Sequence, residues 1–290
     1  MSTALGCADL GHRYGRGIWG LRGCNLDVPA GSVVALVGPN GSGKTTLMSM
    51  AAGLLPATTG TIEAVGGVPA RRLDRIGFVA QDAPLWPRLR VTDVLEIGRC
   101  MNRGFDTVMA SERIRRLGIR LRARINALSG GQRAQVALTL VLAKKPELFL
   151  LDEPMANLDP LARREFLSSM FGACTETGAT VLYSSHAVAE LERICDYLIV
   201  LLAGQVRLAG DIDELRQQHR IISGPEGWPD GGRWQVISQR NTVGRTTALV
   251  RCDNARIAGP GLQESAPTFD ELVLGYLDGA AAALPEEAQA

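Results

Sequence analysis

The sequence predicts a fold of the α/β class, in which helices cover a mainly parallel β-sheet. Residues 33–37 and 148–151 are apolar throughout, which is typical of strands that are buried on both faces. Each run is followed by a segment that can form a helix, as a parallel sheet requires. Residues 5–29 differ, because short apolar stretches alternate there with glycines. They predict antiparallel strands joined by turns, at the start of the chain.

The composition predicts one large globular domain with a small appendage. The 290 residues are 46% hydrophobic, which is enough for a sizeable core. With 31 basic and 30 acidic residues the net charge is +1, so the total charge does not indicate nucleic-acid binding. The six cysteines include no C-x-x-C pair, which predicts reduced cytosolic thiols. No apolar run reaches the roughly 18 residues of a membrane helix and no signal-peptide pattern is present, so we expect another chain to do any membrane spanning.

A glycine-rich motif follows the first buried strand and fits the pattern G-x-x-x-x-G-K-[ST]. It consists of Gly38, Pro39, Asn40, Gly41, Ser42, Gly43, Lys44, Thr45 and Thr46. The glycines allow successive N–H groups to point into one hollow, and the following helix adds positive potential at its N-terminus. We expect nucleotide phosphates here, with Lys44 at the outer phosphates and Thr45 on Mg²⁺. The strand before the motif and the helix after it disfavour the alternative of a plain turn.

Two aromatic residues, Tyr14 and Trp19, lie upstream of this loop. An aromatic ring at such a place can stack on the face of an adenine without any hydrogen bond. We select Tyr14 for this role. The alternative is that either ring only covers the rim of the sheet.

The segment after the first helix predicts two strands and then a helical region. The strands are expected at residues 61–65 and 76–80, and the second is followed directly by Gln81. Residues 91–124 have helical spacing and many arginines, namely Arg113, Arg115, Arg116, Arg120, Arg122 and Arg124. Such a cluster could face anionic lipid headgroups, but a solvated helical surface is the simpler interpretation.

A second candidate anion site lies in the middle of the chain. Ser129, Gly130, Gly131 and Gln132 precede an apolar helix at residues 134–143. The glycines and the serine leave backbone donors and a hydroxyl group at the start of this helix. Four residues alone are weak evidence for an anion site, but their position after the phosphate loop in the same chain strengthens it.

The buried run at residues 148–151 ends in two carboxylates, Asp152 and Glu153. Successive side chains at the end of a strand point in different directions, so the two need not share a role. We expect Asp152 in the shell of the Mg²⁺ ion and Glu153 near the outer phosphate, where it would polarise the attacking water. The alternative, that both only cap the next turn, does not explain their place beside a phosphate loop.

The next segment predicts a helix, a strand and a histidine. Asp159 is expected to cap a helix that starts at Pro160. A strand at residues 180–184 is followed by His186, at the edge of the sheet where α/β proteins bind their ligands. An imidazole there can bond a phosphate oxygen, although a lone histidine is more often structural.

The remainder predicts a helix at residues 188–195, a strand pair around Gly204 and a helix at residues 211–219. Residues 223–232 are rich in glycine and proline and are typical of a linker. Strands at 234–237 and 246–251 and a helix at 269–277 then predict a small α+β appendage. The alanine-rich tail, residues 280–290, is expected to be disordered.

This ordered set of motifs resembles the nucleotide-binding subunit of ATP-binding cassette transporters, over about residues 5–220. The resemblance implies a P-loop NTPase fold, with a RecA-like core, an antiparallel β subdomain and an inserted helical subdomain at about residues 84–145. It implies an ATP-binding domain at residues 1–222 and a small α+β appendage at residues 223–290. The Ser-Gly-Gly-Gln signature at residues 129–132 is far more specific than the phosphate loop.

The resemblance also implies a role for each motif residue. Gly38 to Thr46 would be the Walker A loop, and Gln81 the glutamine that senses Mg²⁺ and the permease. Asp152 would be the Walker B aspartate, Glu153 the general base, Asp159 the D-loop aspartate and His186 the switch histidine. All of these residues are present, so the resemblance implies an ATPase that uses ATP and Mg²⁺.

In this family the signature of one chain closes over the ATP on the Walker A loop of another chain. The resemblance therefore implies an ATP-bound dimer, of two copies or with a related cassette, bound to a polytopic membrane permease. It implies a location in the cytoplasm, on the inner face of the membrane, with no nucleic-acid partner. Residues 91–124 would be the surface that pushes on the permease.

The direction of transport is left open by the motifs. The single cassette and residues 267–273 resemble stand-alone ATPases of bacterial export systems for drugs, peptides, lipids or polymers, so we expect export. The alternatives are the ATPase of an importer, or a cassette protein that acts on ribosomes or DNA. Relatives of the latter kind have two cassettes, coiled coils or zinc modules, which this sequence lacks.

Overall fold

The computed structural model describes residues 2–81, 84–155, 158–185, 188–226, 234–252 and 261–282. In chain order the elements are β1 (Thr3–Arg13), β2 (Trp19–Pro29), β3 (Val33–Val37), α1 (Lys44–Ala51), β4 (Thr59–Ala64), β5 (Ile76–Val79), α2 (Val91–Met101), α3 (Thr107–Arg116), α4 (Gly130–Lys144), β6 (Leu148–Asp152), α5 (Pro160–Thr177), β7 (Thr180–Ser184), α6 (Val188–Leu191), β8 (Tyr197–Leu202), β9 (Gln205–Asp211), α7 (Ile212–Gln218), β10 (His219–Pro225), β11 (Trp234–Thr242), β12 (Arg245–Cys252), β13 (Gln263–Ser265) and α8 (Phe269–Ala282).

The central sheet has the strand order β5-β6-β7-β3-β8-β9. All of its pairs are parallel except the hairpin of β8 and β9. Every residue of β6 and β7 is buried, because helices and the first sheet cover both faces. The α/β class predicted from the apolar runs is thus confirmed, and the parallel strands end along one edge.

The N-terminal strands form the predicted antiparallel sheet, in the order β2-β1-β4. Their apolar side chains join those of β3 and α1 in one core, which includes Leu5, Leu10, Leu21 and Met48. Helix α1 therefore lies between the antiparallel sheet and the central sheet.

The helical subdomain has a core of its own, built from α2, α3 and the inner face of α4. Residues 91–124, expected to be helical, form two helices and an irregular stretch. Asn102 ends α2 in extended backbone, and Asp106 caps α3 by accepting a hydrogen bond from Met109 N at 3.0 Å. Gly118 follows α3 with φ +68°, a conformation that stops a helix.

The arginine cluster is divided between surface and interior. Arg115, Arg116, Arg120, Arg122 and Arg124 are exposed, as a solvated helical surface predicts. Arg113 instead points inward, between α3, α4 and α5.

The C-terminal strands form an antiparallel sheet in the order β11-β12-β10-β13, and α8 packs on β11. Phe269, Leu272 and Val273 of α8 are buried in the same core as the helices and strands of the ATP-binding region. The chain expected to be a linker from residue 223 is strand as far as Pro225, because β10 pairs with both β12 and β13. Residues 227–232 of that segment lie outside the described residues.

The predicted boundary between the ATP-binding domain and the appendage, at residues 222 and 223, falls inside strand β10. The division into these two domains stays a prediction. Helix α8 continues to Ala282, and the rest of the tail lies outside the described residues. Helix α6 ends at Leu191, four residues before the expected end.

Of the helices that the structure describes, none is both long and apolar enough to cross a membrane.

Candidate functional site

The phosphate loop, Asp152 and Glu153 lie together at the carboxyl edge of the central sheet. Strand register aligns Asp152 of β6 with Ser184 of β7, and Ser184 with Leu36 of β3. The loop that leaves β3 thus starts beside the carboxylate that ends β6. This arrangement follows from parallel pairing, because it brings the carboxyl ends of neighbouring strands together.

The glycine-rich loop curls tightly between β3 and α1. Gly43 has φ +105°, and a Cβ atom there would lie 2.5 Å from Gly20 O, so only glycine fits. At the other end of the loop, a Cβ atom at Gly38 would lie 2.2 Å from Leu201 O, so only glycine fits there too. The Ser42 hydroxyl is buried and has no hydrogen-bond partner among the described residues.

Lys44 is buried at the start of α1, and its ammonium group bonds to the loop itself. Nζ donates to Gly38 O at 2.7 Å and to Pro39 O at 3.1 Å. Burial lowers the pKa of Lys44, while the nearby carboxylates of Glu153 and Asp152 act in the opposite direction. The ammonium group therefore lies at the mouth of the loop, close to both acidic side chains.

Asp152 is fixed by two hydroxyl groups. Thr45 Oγ1 donates to Oδ2 at 2.7 Å and Ser184 Oγ donates to Oδ1 at 2.8 Å. Ser184 Oγ also accepts from the backbone N–H of Glu153 at 3.0 Å. One serine thereby sets the orientation of both acidic residues.

The backbone of Glu153 turns sharply out of β6, with φ +46°. A non-glycine residue in this region is strained, and such strain is often found at functional sites. The turn separates the two carboxylates, since Asp152 is buried and Glu153 is partly exposed. The separate roles that the sequence predicts for these two residues stay a prediction.

Tyr14 lies next to helix α1, where its hydroxyl group and that of Thr46 form a 3.0 Å hydrogen bond. The ring of His12 meets the Tyr14 ring edge-on, with centroids 4.5 Å apart, and 42% of Tyr14 stays exposed. Trp19 is also exposed, and the guanidinium groups of Arg13 and Arg22 lie 5.9 Å and 5.8 Å from the centre of its ring. Tyr14 is therefore the aromatic residue held against the phosphate-loop helix.

The remaining residues of the predicted set lie farther along this edge or outside the described residues. Gln81 is exposed, two residues beyond the end of β5. Asp159 caps α5, because Oδ1 accepts from Ala162 N at 2.9 Å. His186 lies outside the described residues, as does Asn157 of the preceding loop.

The Ser-Gly-Gly-Gln motif starts α4 in the helical subdomain. Ser129 Oγ accepts from Gln132 N and Gln132 Oε1 accepts from Ser129 N, both at 3.1 Å, which forms a capping box. Gly131 lies against Leu158, since a Cβ atom there would be 3.3 Å from Leu158 Cδ2. None of the hydrogen bonds among the described residues joins residues 129–132 to the loop at residues 38–46.

Ser184 is the site residue that sequence reasoning missed. It is the last residue of an apolar run, and its position two residues before His186 was the available signal. The sequence does not show that β7 pairs with β6, so the contact between Ser184 and Asp152 could not be predicted before the order of strands in the sheet was known.

The residues of the loop fit a nucleoside triphosphate with Mg²⁺. The tight glycine turn, the unpartnered Ser42 hydroxyl and the Lys44 ammonium group are donors suited to phosphate oxygens. Thr45 and Asp152 offer two hard oxygen atoms. Nucleotide sites commonly bind Mg²⁺ through one or two protein oxygens together with oxygens of the substrate phosphates.

The sequence matches the family model described as ABC transporter over residues 21–156. A second model, described as AAA domain, putative AbiEii toxin, Type IV TA system, matches residues 128–192. The first match runs from β2 through the signature to the turn after Glu153.

Two curated relatives are ATP-binding proteins of importers. The molybdenum import ATP-binding protein ModC of Mesorhizobium japonicum is 32% identical over 89% of this chain and 73% of its own length. The phosphonates import ATP-binding protein PhnC of Thiobacillus denitrificans is 32% identical over 79% of this chain and 95% of its own length. These names favour import, the alternative, over the export that the sequence led us to expect.

Among solved structures, the dimeric structure of a bacterial ABC transporter cassette superposes with a TM-score of 0.65. The alignment covers 72% of this chain and 98% of that one, at 25% identity. The motifs, the sheet order and these similarities lead to one conclusion: the chain belongs to the ATP-binding cassette transporter family, as an ATP-hydrolysing, nucleotide-binding subunit.

Proposed function

We propose that the loop at residues 38–46 binds ATP with Mg²⁺ and that this chain hydrolyses it to power a separate membrane permease. The hydrogen-bond chain from Thr45 through Asp152 and Ser184 to Glu153 is the observation that supports this most directly. It joins the loop to the carboxylate of Asp152 and to the backbone of Glu153. Lys44 and the loop N–H groups would hold the phosphates, and Tyr14 would stack on the adenine.

Glu153 would act as the general base for the attacking water. Its carboxylate is partly exposed, as a group that contacts water must be, whereas Asp152 is only 2% exposed. Asp152 and Thr45 would hold Mg²⁺, which when bound neutralises charge on the phosphates. Gln81 and His186 complete the proposed catalytic set by resemblance to the family.

A second copy of the chain would complete each ATP site. Ser129 at the start of α4 is exposed and has no hydrogen bond to the phosphate loop of its own chain. A helix start with free N–H groups is suited to a phosphate, so we propose that it covers the ATP bound by the partner. The ATP-bound state would then be a homodimer, or a pair with a related cassette.

The permease would dock in an apolar groove between the core and the helical subdomain. This groove, of about 300 Å³, is lined by Leu54, Leu73, Phe78, Trp86 and Met101. Four of these five are large exposed apolar residues, an arrangement typical of protein-binding surfaces. Since Gln81 follows the same strand as Phe78, a short permease helix seated here would sense the ATP site. This docking would keep the chain on the cytoplasmic face of the membrane.

We propose import as the direction of transport, because the molybdenum and phosphonate relatives are import proteins. Their two cargoes differ, and the cargo of this chain would be selected by its permease.

The test is purification of the Glu153→Gln form from membranes of the native host, in mild detergent with ATP and Mg²⁺. We expect a polytopic membrane protein in comparable amount, identified by mass spectrometry, together with a substrate-binding protein if the system is an importer. Ribosomal or DNA-associated proteins without a membrane partner would contradict the transport function. A Met101→Asp change in the same background should remove the permease and leave ATP binding intact.

A further inference from the structure

Arg113 is a guanidinium group enclosed by three helices. Nε donates to Thr139 Oγ1 at 3.1 Å, and the two terminal nitrogens donate to Gln135 Oε1 at 2.7 Å and Ser169 Oγ at 2.6 Å. Thr139 and Gln135 belong to α4, and Ser169 belongs to α5. One side chain of α3 therefore binds both other helices.

The acceptors around Arg113 are fixed by their own helices. The Thr139 hydroxyl donates to Gln135 O and the Ser169 hydroxyl donates to Glu165 O, both at 2.7 Å. Each hydroxyl proton is thus already used, and only lone pairs face the guanidinium group. A lysine cannot reproduce three N–H donors in a fixed plane, so the site is specific for arginine.

The network continues towards the start of α5. Gln135, which is only 4% exposed, donates from Nε2 to Ala162 O at 3.4 Å. Ala162 N in turn donates to Asp159, the residue that caps this helix. Gln135 therefore links the first turns of α4 to the start of α5, and Arg113 holds Gln135 and contacts the middle of α5 at Ser169. Buried polar networks of this kind favour one packing geometry over others.

The start of α4 is the segment that we propose to face a partner chain, and the start of α5 is linked to it. Helix α4 begins at the signature and α5 begins at Pro160, directly after its cap Asp159. Gly131 of α4 lies against Leu158, the residue before that cap. We infer that Arg113 is a positioning residue that holds the signature helix α4 in a fixed position against α5. This inference rests on the proposed ATP-bound dimer. The signature and the D-loop then approach the partner as one preformed surface, and less ordering is needed on association.

The test uses the Glu153→Gln chain with ATP and Mg²⁺, and measures self-association by analytical ultracentrifugation. Arg113→Lys should weaken the dimer by about tenfold or more, and Ser169→Ala, which removes only the bond from Arg113 to α5, by about three- to tenfold. Affinity of the monomer for a fluorescent ATP analogue should stay within about twofold in both variants, because the phosphate loop is not part of the network. The matched control is Arg116→Lys on the exposed side of α3.

Three outcomes are decisive. Weaker dimers with unchanged monomer affinity for the analogue support the positioning role. Dimers as strong as the parent, or a loss of monomer affinity for the analogue equal to the loss of dimer affinity, overturn it and leave the proposed function standing. If the Glu153→Gln parent itself does not dimerise with ATP, the proposed dimer fails, and the inference fails with it.

Discussion

The Thr45 hydroxyl group donates a 2.7 Å hydrogen bond to Oδ2 of Asp152, and so joins the first turn of α1 to the end of β6. The second oxygen of that carboxylate accepts from Ser184. Asp152 is buried and has two neutral donors, so its orientation is set before any ligand arrives.

This contact predicts how the enzyme depends on Mg²⁺. Thr45→Val removes a hydroxyl ligand and a donor to Asp152, and should raise the Mg²⁺ concentration for half-maximal ATPase activity by about tenfold or more. Thr45→Ser keeps the hydroxyl and is the matched control. Equal Mg²⁺ dependence of the two variants, measured by phosphate release, would argue against the metal assignment.

Glu153→Gln should retain ATP binding and lose turnover. The change removes the basic carboxylate and preserves its size, so we expect the rate of hydrolysis to fall by about 10²- to 10⁴-fold. Equilibrium binding of ATP and phosphate release should be measured on the same preparation. Glu176→Gln, at an exposed position of α5, is the control, and a near-normal rate for Glu153→Gln would exclude it as the general base.

Packing of α8 depends on a glycine. A Cβ atom at Gly275 would lie 2.3 Å from Leu249 Cδ2 and 3.1 Å from Ser238 Oγ, so Gly275→Val should destabilise the protein by about 1–3 kcal/mol. The control is Gly172→Ala in α5, where a Cβ atom meets nothing within 4 Å. That change should stabilise by up to about 1 kcal/mol through helix propensity. Urea unfolding midpoints that move in the same direction for both variants would contradict this account.

His219 predicts a loss of stability in mild acid. It is fully buried, Nδ1 lies 2.7 Å from Leu215 O, and Nε2 lies 2.8 Å from the Tyr276 hydroxyl. Because Leu215 O can only accept, Nδ1 carries the proton, and the neutral ring accepts from Tyr276. Burial lowers the pKa of His219 below its ordinary value of 6.5, and the positive charge of Arg251 adds to this.

The unfolded chain therefore binds a proton at higher pH than the folded chain does. The free energy of unfolding should fall as the pH drops below about 6.5, by at most about 1.4 kcal/mol per pH unit from this group. The thermal midpoint of the wild-type protein should fall more than that of His219→Gln between about pH 7.5 and about pH 5.5. Equal slopes would show that His219 does not contribute.

The sequence was most informative where local rules decide the structure. The glycine-rich loop between β3 and α1 follows from residue types at fixed spacing, and β6 and β7 follow from unbroken apolar runs. Asp152 and Glu153 could be proposed as a pair with separate roles because they end one of those runs.

The sequence was least informative where contacts join distant segments. Nothing in the spacing distinguishes Arg113, which faces α5, from the five exposed arginines that follow it. The composition of residues 223–225 is typical of a linker, whereas their pairing with β12 depends on strands that follow later in the chain. The apolar face of α8 was visible, but its burial against the ATP-binding core was not.

The two hydrogen bonds from Lys44 to Gly38 O and Pro39 O affect the energetics of the loop. The Lys44 ammonium group has three protons, and these two bonds leave one of them for a phosphate oxygen. Any further hydrogen bond from Lys44 to the phosphate must displace a carbonyl group, so its contribution to affinity is offset by the bond that breaks. After hydrolysis, the same carbonyl groups can take the ammonium group back as the phosphate leaves. The carbonyl groups of Gly38 and Pro39 are thereby internal competitors of the phosphate for Lys44, which suits a site that must be emptied in every cycle.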